Sequence, residues 1–170
     1  MNIELKITII TAVITGIKWV YEYTKQLTWE KNRFLLDRLD LFKNKENTKK
    51  MQLLLDWNDI NIEIGEKRQR VDDEILLGAF ITHNKKSSFT TLEFELRSIF
   101  DEYFDDLNEF IVLCETGLID KENLKIYMKY WFDILTHKKN SKSLILINKI
   151  HEYLDYYGYK DLYNFLNYEY

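Results

Sequence analysis

The chain has 170 residues, of which 46% are hydrophobic, and its formal net charge is −4. This length fits one domain with a small appendage, and the hydrophobic content supports a core, which argues against a disordered chain. Because both signs of charge are spread along a negative chain, a protein that binds duplex nucleic acid is not expected. Proline is absent and glycine occurs five times, which predicts a mainly α-helical fold with short connections.

Residues Ile3 to Tyr23 form the most hydrophobic stretch of the chain (IELKITIITAVITGIKWVYEY). Only Ile7–Ile17 is free of charge, and as a helix it reaches about 16 Å, short of a hydrocarbon core of about 30 Å. If the side chains of Lys6 and Lys18 extend toward the headgroups, the whole stretch spans about 31 Å. We therefore expect residues 1–26 to form a membrane-anchor helix in contact with lipid.

The residues around the end of this stretch predict its orientation. Trp19, Tyr21 and Tyr23 fall where an aromatic belt is expected. Basic residues then follow on the C-terminal side: Lys25, Lys31, Arg33 and Arg38. Since basic flanks stay in the cytoplasm, we expect a single-pass protein of the cell inner membrane with a helical cytoplasmic domain over residues 27–170.

Three other interpretations of the first helix remain open. It has the short apolar centre of a cleavable signal peptide, although no small-x-small cleavage site follows. It is also compatible with an amphipathic helix that lies on the membrane surface. Finally, it is compatible with a soluble helical domain whose first helix packs in the core or on a partner protein.

Polar residues in the first helix fall on one side of it, at alternating steps of four and three. We call this set the polar stripe: Glu4, Thr8, Thr11, Thr15, Lys18, Glu22 and Lys25. Thr8, Ala12 and Gly16 also place small residues four apart, a spacing that permits close helix approach. The pattern predicts self-association through Thr8, Thr11, Ala12, Thr15 and Gly16, and so a homo-oligomer. Threonine hydroxyls that bond to their own helix offer an ordinary alternative.

The first half of the domain contains two predicted helices and one strand-like segment. The first helix is expected to continue to Phe42, followed by a loop over the polar run 43–50 (KNKENTKK). A second helix, capped by Asn47 or Thr48, is expected to run to Trp57 with Met51, Leu54 and Leu55 inward. Asp59–Ile64 alternates polar and apolar residues, and with Gln69–Val71 returning it predicts a short β-hairpin.

The second half predicts helices only, giving a bundle of about five or six. A helix begins at Asp72 or Asp73, and a long central helix begins at Ser88 or Thr90 and ends near Thr116, before Gly117. Asp120 caps a helix that runs to about Thr136, and Ser143 begins one that runs to about Tyr156. A short helix after Gly158 closes the chain, with its tyrosines packed between helices.

No pattern in the chain predicts catalysis, a metal or a cofactor. The acidic cluster Asp101, Glu102, Asp105 and Asp106 has no histidine at the spacing of a carboxylate-bridged metal helix, so it is interpreted as a solvated face. The three histidines, His83, His137 and His151, lack a second histidine at ligand spacing. The single cysteine, Cys114, lies on the apolar side of the central helix and is interpreted as a core residue.

Basic residues concentrate in predicted loops and offer a candidate contact for an anion or for lipid headgroups. The candidates are Lys67, Arg68, Arg70, Lys138, Lys139 and Lys142. The two arginines stand out because their guanidinium groups suit phosphates. The alternative is that loop lysines only keep the surface soluble.

Several apolar and aromatic segments occur in a characteristic order after the first helix. They are 29–34 (WEKNRF), 53–57 (LLLDW), 100–107 (FDEYFDDL), 117–119 (GLI) and 130–131 (YW). The order resembles small bacterial proteins of unassigned function that have one membrane helix and a helical cytoplasmic domain. The layout is also similar to that of small membrane effectors in prokaryotic defence. The resemblance implies no activity and no site residues.

Together these patterns predict a non-enzymatic, membrane-anchored interaction or sensor protein. Its expected partners are membrane lipid, a second copy or another protein, and a small anionic ligand. The alternative is a soluble helical protein-interaction domain.

Overall fold

The computed structural model describes residues 3–65 and 67–170, apart from the side chains of residues 4–6. Within these residues the fold is mainly helical, as expected. The elements in chain order are α1 (Ile3–Asn44), α2 (Glu46–Asp56), β1 (Asp59–Ile64), β2 (Lys67–Asp72), α3 (Asp73–Ala79), α4 (Thr91–Glu115), α5 (Lys121–Leu135), α6 (Leu144–Tyr157) and α7 (Lys160–Asn164), followed by a π-helical turn (Phe165–Glu169).

Helix α4 lies at the centre of the core, which confirms its predicted role. Its apolar side chains from Leu96 to Ile111 are buried at every helical turn. Phe100 stacks on Phe80 from the end of α3, with ring centroids 3.9 Å apart. Thr90 and Glu93 form a reciprocal capping box that fixes the first turn of α4.

The helices after α4 begin and end where the sequence predicts. The Asp120 carboxylate accepts from the Asn123 amide to cap α5, and the Ser143 hydroxyl accepts from the Leu146 amide to cap α6. Gly158 ends α6 with φ of +88°, a conformation that glycine adopts without strain. The C-terminal tyrosines pack as expected in part, since Tyr153 and Tyr159 are buried but Tyr168 is exposed.

The predicted hairpin is present, and β2 is longer than expected. Strands β1 and β2 pair antiparallel from Asp59 opposite Asp72 to Ile64 opposite Lys67. Ile62, Ile64 and Val71 face the core. At the turn, Gly65 has φ of +62° and lies against the Glu95 carboxylate of α4, where an added Cβ would come within 2.8 Å of an oxygen.

The prediction of a loop over residues 43–50 is wrong. Helix α1 runs to Asn44 and α2 begins at Glu46, so Lys45 alone breaks the helix. Neither Asn47 nor Thr48 caps α2; the capping position is Lys45, which has extended backbone angles and makes no capping hydrogen bond through its side chain. Because lysine and glutamate favour helices, a polar run in water is no evidence of a loop.

Candidate functional site

The candidate site is the part of α1 that projects from the domain. Leu35, Leu39 and Phe42 are the buried residues of α1 and join it to the core. Before Leu35 the large apolar side chains that the structure describes are exposed, by 38% to 73%: Ile3, Ile7, Ile9, Ile10, Val13, Ile14, Ile17, Trp19, Val20, Tyr21, Tyr23, Leu27, Trp29 and Phe34. Large contiguous apolar surfaces are typical of sites that contact another protein or a membrane. This part of α1 is therefore the candidate interaction site.

The projecting helix changes character after Tyr23. We call Ile3–Tyr23 the apolar section and residues 24–33 (TKQLTWEKNR) the polar section. The polar section is helical and exposed, except for half-buried Asn32. Its hydroxyls are satisfied locally, since Thr24 donates to the Tyr21 carbonyl and Thr28 donates to the Thr24 carbonyl. At 1.5 Å per residue, it separates the apolar section from the core by about 15 Å.

The polar stripe is exposed along the apolar section. Thr11, Thr15, Lys18 and Glu22 are all exposed, as is Thr8, while the side chain of Glu4 lies outside the described residues. Ala12 and Gly16 are exposed beside the stripe, and a Cβ added at Gly16 would meet nothing within 4 Å. The helix therefore leaves free space for another helix to approach this side.

Polar contacts fix the helix where it enters the domain. The Asn123 side chain of α5 donates to the Asn32 side chain at 2.5 Å, and Lys45 pairs with Asp106 of α4 at 2.8 Å. Arg38 also pairs with Glu109 of α4. Because one helix carries both the apolar section and these contacts, the direction of the projection is set by the core.

The apolar character of the helices bears on the predicted membrane span. In the described part of the chain, no helix combines the length and the apolar character needed to cross a membrane. The predicted transmembrane span does not meet this requirement.

Two surface depressions flank the entry of α1. One, of about 530 Å³, lies between α1 and α4 over Phe42 and Phe110, and the Arg38–Glu109 and Lys45–Asp106 pairs line it. These four charges neutralise one another, so the depression offers no unpaired charge to a ligand. A smaller one, of about 280 Å³, is lined by Leu27 and Phe34 of α1 and Leu118 of the α4–α5 turn, among others.

The arginines of the candidate anion site have acidic partners. The Arg70 guanidinium donates two hydrogen bonds to the Asp59 carboxylate, at 2.8 and 2.6 Å. This bond, with the charge of Arg70, lowers the pKa of Asp59. Arg68 lies opposite Glu63 on the paired strand. Strand pairing thus places an acid beside each arginine, which weakens the case for an anion site at the hairpin.

The three lysines of the α5–α6 loop have separate surroundings. Lys138 is exposed and donates to the Tyr170 carbonyl, and exposed Lys139 lies 3.5 Å from the centre of the Tyr130 ring. Lys142, by contrast, is buried, and its ammonium donates to Asp73 at 2.6 Å and to the Trp57 carbonyl at 2.7 Å. Lys142 is therefore a structural residue, and its prediction as a surface contact for an anion is corrected.

The acidic cluster of α4 is only partly solvated, contrary to the sequence interpretation. Asp101 accepts a 2.5 Å hydrogen bond from the Tyr153 hydroxyl, and Glu102 accepts one from Asn47 at 2.5 Å. Asp101 thus holds α6 against α4, and Glu102 holds α2 against it. Among the described residues, no group of three or more histidine, cysteine or acidic side chains could hold a metal ion.

Cys114 is a core residue, as predicted. Its side chain is 9% exposed, and burial raises the pKa of its thiol to about 11. The thiol is therefore protonated at neutral pH and is a poor nucleophile.

One charged residue of the core had no signal in the sequence. Arg97 of α4 is 5% exposed, and its guanidinium donates to the carbonyls of Ala79 and Ile81 at 2.8 and 2.9 Å. It also donates to the Tyr157 hydroxyl at 2.5 Å. These acceptors come from segments 16 to 60 residues away, so local spacing does not reveal them.

The chain matches no known protein family, no curated protein and no solved structure.

Proposed function

We propose that the protein is a non-enzymatic, membrane-anchored interaction protein in which the apolar section of α1 enters lipid. The observation that carries this proposal is the change after Tyr23, where a run of exposed apolar side chains gives way to a mostly polar segment, with Leu27 and Trp29 as its large apolar residues, before the helix reaches the core. A helix that only extended the core would bury one side along its whole length. A helix that leaves lipid, crosses the headgroups and enters a domain has this order of sections.

The dimensions agree with this arrangement. The 21 residues from Ile3 to Tyr23 span about 31 Å, close to a hydrocarbon core of about 30 Å. Trp19 and Tyr23 stack on each other with ring centroids 5.7 Å apart at the end of the apolar section, where interfacial aromatics are favoured. The polar section then covers about 15 Å, enough to cross the headgroup region.

Charge supports placing the domain in the cytoplasm. The polar section carries Lys25, Lys31 and Arg33 against a single acid, Glu30. A basic excess next to an apolar helix favours the cytoplasmic side. With this orientation, the domain is held near the inner membrane, where it binds a partner.

The hairpin is distant from lipid in this arrangement. Its turn lies against Glu95 near the start of α4, whereas Leu118 after the end of α4 lies beside the entry of α1. The twenty residues from Glu95 to Glu115 separate the two by about 30 Å along the helix. Lipid headgroups are therefore not the expected contact of Lys67 and Arg68.

A second candidate is a soluble interaction domain whose first helix docks on another protein. Charges inside the apolar section favour it, because Lys18 interrupts the apolar run and no described helix is apolar enough to cross a membrane. In that case the exposed apolar side chains lie in a groove of the partner.

Carbonate washing of membranes tests the proposal. We expect the full-length chain in the pellet after ultracentrifugation. Ile14→Asp places a charge within the apolar section at about 2.5–3.5 kcal/mol, and we expect it to move most of the chain to the supernatant. Thr28→Asp makes a similar change in the polar section and is the matched control. A wild-type chain that stays in the supernatant without detergent would contradict the proposal and favour the soluble alternative.

A further inference from the structure

We infer that the apolar section of α1 binds the same section of a second copy of the chain, in parallel, with the polar stripes of the two copies facing each other. This inference rests on the proposed function, because lipid covers the remaining apolar surface of the two helices. It names the partner of the projecting helix as the protein itself.

The polar stripe contains threonines, which lipid tolerates, and charged groups, which it does not. Threonine hydroxyls bond to carbonyls of their own helix, so they tolerate lipid. Lys18 and Glu22 carry charge near the end of the apolar section, and although their spacing permits a pair within one helix, among the ion pairs of the described residues none includes either of them. Charged side chains inside a membrane face a bundle interior and pair with one another. Lys18 and Glu22 therefore favour a polar partner on a second helix.

The opposite charges of Lys18 and Glu22 make a second copy of the same helix a suitable partner. Lys18 and Glu22 are four residues apart on the same side of α1, which is about 6 Å along the axis. When two copies lie parallel and in register, Glu22 of the other copy lies about 6 Å further along the axis than Lys18, within reach of the long lysine side chain across the contact. Two ion pairs then form symmetrically, as in an isologous interface. A parallel arrangement also keeps both domains on the same side of the membrane.

Small residues beside the polar stripe leave room for a second helix. Ala12 and Gly16 lie beside the stripe, and the space around Gly16 is open for at least 4 Å. Small residues at helix contacts let two backbones approach closely, which compensates for the weak driving force between helices in lipid. The polar sections of the two copies remain hydrated, so the domains need not touch.

Oxidative crosslinking of single cysteines in native membranes tests the geometry. Thr11→Cys and Thr15→Cys lie on the polar stripe, whereas Val13→Cys and Ile17→Cys lie on the opposite side of the helix and are the matched controls. Buried Cys114 is the sole native cysteine, and the wild-type chain measures its background. We expect disulfide-linked dimers at the stripe positions, several-fold above the controls. Equal yields at all positions, or a higher yield at the controls, would overturn the inference.

Charge exchange tests the pairing itself. Lys18→Glu alone and Glu22→Lys alone each repel their own copies, so we expect roughly three- to fifteenfold fewer homodimers from each. When the two variants are coexpressed with tags of different size, an all-acidic pair faces an all-basic pair. The mixed dimer should then exceed both homodimers. A mixed dimer at the statistical proportion would contradict the pairing.

Pelleting of the same samples separates the two proposals. Chains that pellet with carbonate-washed membranes but give no dimer refute the inference and leave the membrane anchor standing. Chains that give stripe-specific dimers in the supernatant refute the membrane anchor and support pairing in water instead. Chains that do neither refute both.

Discussion

Arg97 shows how a buried cation is satisfied without an acid. Its guanidinium donates to the carbonyls of Ala79 and Ile81 at the end of α3 and to Tyr157 of α6, and it lies 4.4 Å from the centre of the Phe89 ring. A cation at a helix C-terminus also compensates the free carbonyls of the last turn. Arg97 thus ties α3 and α6 to the central helix.

We expect Arg97→Met to lower the free energy of unfolding by about 3 kcal/mol, because it leaves buried carbonyls without donors. Denaturant titration followed by circular dichroism measures this change. Arg33→Met removes an exposed arginine of the polar section and should change stability by less than about 0.5 kcal/mol. A similar small loss for Arg97→Met would show that its hydrogen bonds are replaced by water.

Cys114 permits a second test at the level of one residue. Because burial raises the pKa of its thiol to about 11, almost none of it is thiolate at pH 8. We expect a colorimetric disulfide reagent to react slowly with the native chain. In guanidinium chloride the thiol regains an ordinary pKa of about 8.5 and should react rapidly. Fast reaction of the native chain at pH 8 would mean that the end of α4 opens readily.

The start of α4 links helix capping to pH. The Glu93 carboxylate accepts from the Lys86 ammonium at 2.6 Å and from the Thr90 amide at 2.9 Å. Burial alone would raise the pKa of Glu93, but these hydrogen bonds outweigh burial and the pKa is lowered. A carboxyl with a lowered folded pKa stabilises the fold above its unfolded pKa, and this contribution is lost as pH falls through the folded value.

Glu93→Gln should therefore destabilise the chain at pH 7 by about 1 kcal/mol, since glutamine keeps the capping bond but loses the charge. The difference between wild type and variant should shrink as pH falls below the ordinary glutamate pKa of about 4.3. Thermal unfolding from pH 7 to pH 3 measures both effects. A constant difference over this range would contradict the role of the charge.

At the scale of elements, the sequence predicts the helix starts and the hairpin correctly where a local pattern decides the structure. The capped starts of α4, α5 and α6 and the hairpin are local features, and they are where the sequence predicts them. The sequence does not reveal the single-residue break at Lys45, because a polar run does not distinguish a loop from an exposed helix end. Arg70 beside Asp59 and Lys142 beside Asp73 depend on pairing across strands or over 69 residues, which spacing alone does not reveal.

The candidate site was predictable in part for the same reason. The apolar section and its polar stripe follow from helical periodicity, so the sequence contains both. That the helix leaves the core before Leu35 depends on where α4 and α5 end, and this is a tertiary property.

At the scale of the whole molecule, the projecting helix and the domain should be energetically independent. The core receives α1 through Leu35, Leu39 and Phe42, and nothing in the described domain covers the apolar section. We expect a chain that begins at Thr24 to keep the melting temperature of the full chain within a few degrees and to be monomeric in sedimentation. Leu35→Ala in that shortened chain should cost about 2–5 kcal/mol and is the positive control. A large loss of stability on shortening would mean that the apolar section also supports the core.

Helix α1 runs without a break from the apolar section into the core, and its entry is held by Asn32, Arg38 and Lys45. A rotation of one end about the helix axis is therefore transmitted to the other end, because the helix is continuous between them. Each residue inserted between Thr24 and Arg33 would rotate the domain by about 100° about the stalk, and seven would return it almost to its original heading. The length of the polar section thus sets the direction in which each domain faces around the helix axis.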